Sequence, residues 1–164
     1  MSALPDLRSL VTRLADEDPR VRDLAASEIG DLLEADVVQP HEFRWLMPIL
    51  IDRVVAEKDS TVKESLLFAL ASASVEMLSG NVNLDPIAAD MHQLNAACLD
   101  QALDLLGFSG NARYRKVIKT FLTHPDEDVR RAAADALEVL DAIGSQRRKD
   151  ATRQPKRGVQ KKAL

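Results

Sequence analysis

Apolar residues recur at steps of three and four along almost the whole chain, and no useful length alternates between apolar and polar positions. The first spacing is the period of an amphipathic helix, whereas alternation would indicate a strand. In one clear segment, Val21, Ala25, Ile29 and Leu32 form a single apolar stripe. The pattern therefore predicts an all-α protein.

Prolines, glycines and polar turns divide this pattern into separate helices. Pro19 and Pro40 stand at first helical positions, and Pro48 lies inside a helix that it is expected to bend. The polar run 79–83 predicts a loop, and Gly144 predicts the end of the last helix. The expected helical segments span about 5–15, 19–34, 40–57, 60–78, 85–107, 111–121 and 127–142.

One short motif occurs three times, with copies that begin at Asp18, Asp59 and Asp126. Each copy has a valine three residues after the aspartate, then a lysine or arginine, then a pair of apolar residues one turn later. Repetition at intervals of several tens of residues is typical of stacked helical repeats. The long interval before the last copy predicts a degenerate copy, which gives about four helical hairpins. Its inner helix is expected to contain Leu94, Cys98, Ala102 and Leu105.

The segments Asp18 to Arg22 with Ala25-Ala26, and Asp126 to Arg130 with Ala133-Ala134, resemble the HEAT-repeat family of α-solenoids, in a small bacterial-type member. The segment Leu46 to Leu50 is similar to the proline-bent first helix of such a repeat. This resemblance implies a right-handed α–α superhelix over residues 1–144. It also implies that the Asp/Arg pair of each repeat is structural.

Charge is distributed unevenly along the chain. Residues 145–164 hold eight Lys and Arg and one acid, whereas residues 1–144 hold 14 bases and 25 acids, a net charge of −11. The 145–164 segment has almost no apolar residues, so it is expected to be a disordered basic tail. The sequence therefore predicts two regions, a repeat domain at 1–144 and a tail at 145–164.

Cellular location and oligomeric state are predicted from negative features. No run of about 18 apolar residues indicates a membrane span, and residues 1–6 lack the pattern of a secretory signal. Cys98 is the one cysteine and stands among apolar residues, which favours a buried thiol. We expect a cytoplasmic protein, monomeric, with no membrane association.

Enzymatic activity is not expected. Deoxyhypusine hydroxylases, which have related repeats, hold iron with several His-Glu pairs, whereas this chain has only His41-Glu42 and no two histidines at metal-ligand spacing. Alkylpurine DNA glycosylases of similar architecture need a basic concave surface and an aromatic-lined pocket, but this body is acidic and Trp45 is its one tryptophan. We therefore predict no catalytic residue, no metal site and no cofactor.

The second helices of HEAT-like hairpins line the concave side of the array, so their polar residues are candidates for a binding surface. On the side opposite the apolar stripes, these helices present mainly acids and one aromatic residue. An acidic surface attracts a basic partner and speeds its association. The candidate partner-binding residues are Asp23, Asp31, Glu64, Phe68, Asp100, Asp104 and Asp135.

Two classes of function fit these features. The first is a protein-binding module for a basic protein, either a scaffold or an inhibitor of the kind represented by bacterial immunity proteins that cap toxins. The second is an adaptor that binds nucleic acid through the basic tail. Because the tail lacks interleaved aromatic residues, such binding would be sensitive to salt and blind to sequence.

Overall fold

The computed structural model describes residues 6–78 and 82–153, and within them every regular element is helical. Short 3₁₀ turns at Met91–Gln93, Ala112–Tyr114 and Phe121–Thr123 follow or precede the shorter helices. The all-α fold predicted from the sequence is confirmed. The helices are α1 (Leu7–Arg13), α2 (Pro19–Glu34), α3 (Pro40–Ala56), α4 (Ser60–Ala71), α5 (Val75–Leu78), α6 (Asp85–Asp90), α7 (Ala96–Phe108), α8 (Arg115–Thr120) and α9 (Glu127–Arg153).

The helices form two layers in a superhelical array. Helices α2, α4, α7 and α9 pack side by side in chain order, and α1, α3, α6 and α8 cover one side of them. The result is four hairpins, α1/α2, α3/α4, α6/α7 and α8/α9, as the repeat pattern predicts. One continuous apolar core runs between the layers from Leu7 to Leu140.

Each second helix begins in the same way, because a short polar side chain accepts hydrogen bonds from the first backbone N–H groups. Asp18, Asp59 and Asp126 do this in the three matched copies. In the degenerate copy Asn95 takes this place and accepts from the N–H of Cys98 at 2.9 Å. These caps satisfy donors that have no partner inside a helix.

The arginine of the motif connects α2 and α9 to the turns before them, whereas Lys63 of α4 pairs with Asp90. Arg22 Nη1 donates to the carbonyl oxygens of Asp16 and Glu17, and its Nε lies 2.8 Å from a carboxylate oxygen of Glu57 in the next hairpin. Although burial alone would raise it, hydrogen bonding by Arg22 lowers the pKa of Glu57. Arg130 repeats the turn contact with His124 and Pro125. This geometry agrees with the structural role that the resemblance implies.

The last helix is longer than the sequence pattern predicts. It continues through Gly144 to Arg153, so the predicted stop at Gly144 is wrong, and so is the expected disorder for residues 145–153. A glycine weakens a helix but ends it only where the backbone turns left-handed or the chain stops packing. Here the helix still packs beyond residue 142, since Ile143 lies against Gly110 and Arg147 donates to the Ser109 carbonyl at 2.9 Å. Residues 154–164 of the predicted tail lie outside the described residues.

The helix predicted at 60–78 is divided in two. It ends at Ala71, where the Ser72 hydroxyl donates to the Phe68 carbonyl, and α5 starts after Ser74, whose hydroxyl accepts from the N–H of Met77. Serine side chains compete for backbone groups in this way and favour turns. Across residues 6–78 and 82–153, no helix has both the length and the apolarity to cross a membrane.

Candidate protein-binding surface

The second helices present two matched rows of side chains on the side away from the buried stripe, which we term the outer face. The residues concerned stand five and nine positions after each N-cap, one helical turn apart, so they project in nearly the same direction. Most of them are exposed, as the sequence pattern predicts. The first row is Asp23, Glu64, Asp100 and Arg131, and the second is Ser27, Phe68, Asp104 and Asp135.

Three of the predicted residues come together in one groove. Asp31 from α2 and Glu64 and Phe68 from α4 line a depression of about 460 Å³ that crosses α2, α4 and α7. Phe68 is 48% exposed, which is large for a phenylalanine. Within the described chain, no lysine or arginine forms an ion pair with Asp31 or Glu64. The groove therefore combines an exposed aromatic ring with unpaired carboxylates.

Three further predicted residues form an acidic cluster beside this groove. Asp104 is half-buried on α7, with Asp100 on the same helix and Asp135 on α9. Burial raises the pKa of Asp104, and the neighbouring charges of Asp100 and Asp135 raise it further. Gln101 lines the groove and lies next to Asp100, so the cluster and the groove are continuous.

Asp23 differs from the other six predicted residues. Its carboxylate accepts a hydrogen bond of 2.6 Å from the Ser65 hydroxyl, and both side chains are half-buried between α2 and α4. The contact ties two neighbouring hairpins together. Asp23 thus has a packing role that the sequence pattern does not reveal, while its role in partner binding stays a prediction.

Four polar residues that line the groove are absent from the seven candidate residues predicted from the sequence, namely Ser27 of the second row and Thr61, Ser65 and Gln101. Thr61, Ser65 and Gln101 stand two or six residues after their N-caps, on the side of each helix that faces the preceding hairpin. An alignment of the repeats would place these positions beside the outer face. The sequence alone would not identify them as binding residues, because a single hydroxyl or amide on a helix surface is common.

The cysteine and two of the histidines, which are residue types common in catalytic sites, are buried or make contacts within the fold. Burial raises the pKa of the Cys98 thiol, His92 stacks on Phe121 at a centroid distance of 5.1 Å, and His124 Nδ1 accepts from the N–H of Asp126. In the part of the chain that the structure describes, no three His, Cys, Asp or Glu residues are grouped to hold a metal ion. The expectation of a non-enzymatic protein stays a prediction.

Comparison with known proteins adds information on the fold. No family model matches the sequence, and no curated protein matches it. Among the solved structures 24 chains match, including the crystal structure of an engineered protein from the Northeast Structural Genomics Consortium, with a TM-score of 0.63 and 18% sequence identity. The match covers 83% of this chain and 62% of the engineered protein, so this chain spans about three-fifths of that length. At this identity the likeness shows a shared fold alone.

Proposed function

We propose that this chain is a non-enzymatic protein-binding module of HEAT-like type, which binds a basic protein through the outer face of α2, α4, α7 and α9. One observation carries the proposal: the exposed ring of Phe68 lies in a groove with the unpaired carboxylates of Asp31 and Glu64. Aromatic residues are enriched at the cores of protein interfaces, where a large side chain surrounded by contacts that exclude water often carries much of the binding energy.

Electrostatics supports a basic partner. Burial and, to a smaller extent, repulsion by the carboxylates of Asp100 and Asp135 raise the pKa of Asp104, so its charged form is disfavoured in the folded chain. Lysine or arginine side chains from a partner would relieve this repulsion. Charge complementarity of this kind mainly accelerates association and selects against acidic partners.

The groove suits arginine better than lysine. A guanidinium is planar, so it can stack on the face of Phe68 and hydrogen-bond to a carboxylate in the same arrangement. The hydroxyls of Ser27 and Thr61 at the groove wall offer additional acceptors. An inhibitor of a basic protein, of the immunity type, is the most specific form of this proposal, and a scaffold is the more general form.

Nucleic-acid binding is the second candidate function. The observation in its favour is that Arg147, Arg148, Lys149 and Arg153 lie on the helical continuation of α9, and all but Arg147 are exposed. Binding there would follow the phosphate backbone, with strong salt dependence and no sequence preference.

A titration with a defined basic peptide tests the first function. ¹⁵N-labelled protein is titrated with a synthetic peptide of alternating arginine and alanine, and amide shifts are followed by NMR. Shifts concentrated on α2, α4 and α7 are expected. Shifts confined to α1, α3, α6 and α8, or none at peptide concentrations in the millimolar range, would contradict the proposal.

Two variants then separate electrostatics from anchoring. Asp31→Lys with Asp104→Lys should mainly slow association and flatten its salt dependence, because both charges act at long range. Phe68→Ala should mainly speed dissociation and weaken the binding free energy by about 2 kcal/mol, because the ring is the anchor. Glu17→Lys with Asp52→Lys is the matched control, since it makes the same change in charge at exposed sites outside the outer face.

A further inference from the structure

Charge divides the molecule along the axis of the array. Residues 1–110 hold 8 Lys and Arg and 19 Asp and Glu, a net charge of −11, whereas residues 111–164 hold 14 bases and 7 acids, a net charge of +7. Residues 111–144 have six of each. The three acidic hairpins are therefore followed by a neutral hairpin and a strongly basic end.

The described part of the basic end is a projecting helix. Relative to their N-caps, Val139 of α9 is the equivalent of Phe108, the last residue of α7, and α9 continues for 14 more residues to Arg153. At 1.5 Å per residue this extension is about 21 Å long. Its base is held against the end of α7 by the bond from Arg147 to Ser109. We term residues 145–153 the basic arm.

Positive charge also surrounds the base of this arm. Asp141 pairs with Arg115, and a hydrogen bond from Arg115 lowers the pKa of Asp141, with smaller contributions from Arg148 and Lys119. One acid thus stands among three bases. In the arm itself, Lys149 and Arg153 are four residues apart, so they project from one face of the helix.

We propose that the basic arm of one copy docks in the groove of Asp31, Glu64 and Phe68 on a second copy. The proposal rests on the proposed function of the outer face as a surface for basic segments and names its partner as the chain itself. It differs from the monomer expected from the sequence.

The arm cannot reach this groove within its own chain. It is a continuous part of α9, which packs next to α7, whereas the groove lies across α2 and α4 with only Gln101 from α7. The helix leaves the array along its own axis and does not bend back. Docking therefore requires another copy.

The groove fits such an arm in size and chemistry. A volume of about 460 Å³ accommodates one or two long side chains, and an arginine can stack on Phe68 while its guanidinium meets Glu64. Two copies placed antiparallel would each insert an arm into the other, which closes the assembly as a dimer with two-fold symmetry. A single contact without closure would instead give longer chains.

Sedimentation velocity of the full chain tests the proposal. Over a wide range of protein concentration at low salt, the wild type is expected to form dimers, and about 0.5 M NaCl should dissociate them because it screens exposed charges. Two variants reverse the two surfaces separately. The face variant carries Asp31→Lys and Glu64→Lys, and the arm variant carries Arg148→Glu, Lys149→Glu and Arg153→Glu.

Each variant alone should weaken self-association by at least about tenfold. An equal mixture of the two should form a heterodimer, because the first keeps a basic arm and the second keeps an acidic groove. A chain with all five substitutions should self-associate again, since both charges are reversed. The control for the face variant is Glu17→Lys with Asp52→Lys, and for the arm variant it is Arg20→Glu, Arg44→Glu and Lys58→Glu.

A wild type that stays monomeric at low salt, or variants that associate as well as the wild type, would overturn the proposal. Circular dichroism of each variant establishes that it is folded. The peptide titration separates this failure from that of the proposed function. A monomer that still binds the arginine peptide in the groove overturns only self-docking, whereas a monomer that binds no peptide overturns both.

Discussion

The second helices α2, α4, α7 and α9 have an inner face, which is the buried stripe, and the outer face opposite it. Both faces recur in every repeat, but their residues vary to different extents. On the inner face, the residue three positions after the N-cap is buried at Val62, Cys98 and Val129, because each helix must pack on its neighbours. On the outer face, the residues nine positions after the N-cap are serine, phenylalanine and two aspartates, and burial, with the charges of Asp100 and Asp135, raises the pKa of Asp104. The inner face is therefore set by packing within the chain, and the more variable outer face is the surface through which we propose that a partner binds.

The largest expected effect is on the inner face of α9. Val129→Asp should destabilise the protein by about 3 kcal/mol or more, because it places an unpaired charge in a site that is 1% exposed. Asp135→Ala, on the outer face of the same helix, should change stability by less than about 0.5 kcal/mol. Urea denaturation measures both. Equal losses of stability in the two variants would contradict the conclusion that only the inner face is set by packing.

Two glycines at equivalent positions differ in how closely the neighbouring helix packs against them. Gly30 and Gly107 stand at the same position of their repeats, but a Cβ on Gly107 would lie 2.9 Å from the carbonyl oxygen of Ala136, whereas a Cβ on Gly30 would lie 3.4 Å from Ala69 Cα. Gly107→Ala should therefore cost about 1–2 kcal/mol through overpacking. Gly30→Ala should be neutral or stabilising by up to about 1 kcal/mol, from helix propensity. A stabilised Gly107→Ala protein would show that α7 and α9 pack less closely.

The smallest expected effect is a gain in stability on the outer face. The pKa of Asp104 is raised in the folded chain, so folding binds protons there, and the cost of its charge is full at pH values above the folded pKa. Asp104→Asn should thus give a small rise in Tm at pH 7. The gain should fade as the pH falls through the raised pKa of the folded chain, and it should be absent below about 3.9, where the carboxyl is protonated in both states.

Asp52→Asn, an exposed acid on α3, is the control for the loss of one charge. Thermal melts at several pH values give the comparison. A lower Tm for Asp104→Asn at pH 7 would mean that the carboxylate has a stabilising contact, and the argument from unpaired charge would fail.

Much of the fold could be predicted because packing repeats along the chain. The apolar stripe and the Asp caps locate the first residues of α2, α4 and α9, although not the ends of α4 and α9, and Asn95 shows why the third copy is hard to recognise. The burial of other positions depends on whether a neighbouring helix packs against them. Ala134 is exposed although the equivalent Ala26 is buried, because no helix of the described chain follows α9.

The sequence predicts on which helix face the candidate residues lie, but it does not predict their contacts with neighbouring helices. Helical spacing alone places Glu64 and Phe68 outward, and the structure agrees. Contacts across helices, such as Ser65 with Asp23, depend on the rotation of one hairpin against the next. Gly144 was misleading because its effect depends on whether Ile143 finds a partner at Gly110.

Site-specific photo-crosslinking in the cell that produces the protein identifies what contacts the outer face. A photoreactive amino acid replaces Phe68 in one strain and Val55 in another, since these side chains are 48% and 43% exposed but lie on the outer face and on the first layer respectively. Mass spectrometry then identifies the crosslinked proteins. We expect a basic protein, or a second copy of this chain joined through its basic arm, to be crosslinked at position 68 and not at position 55. The same products at both positions, or products at position 55 alone, would contradict this expectation.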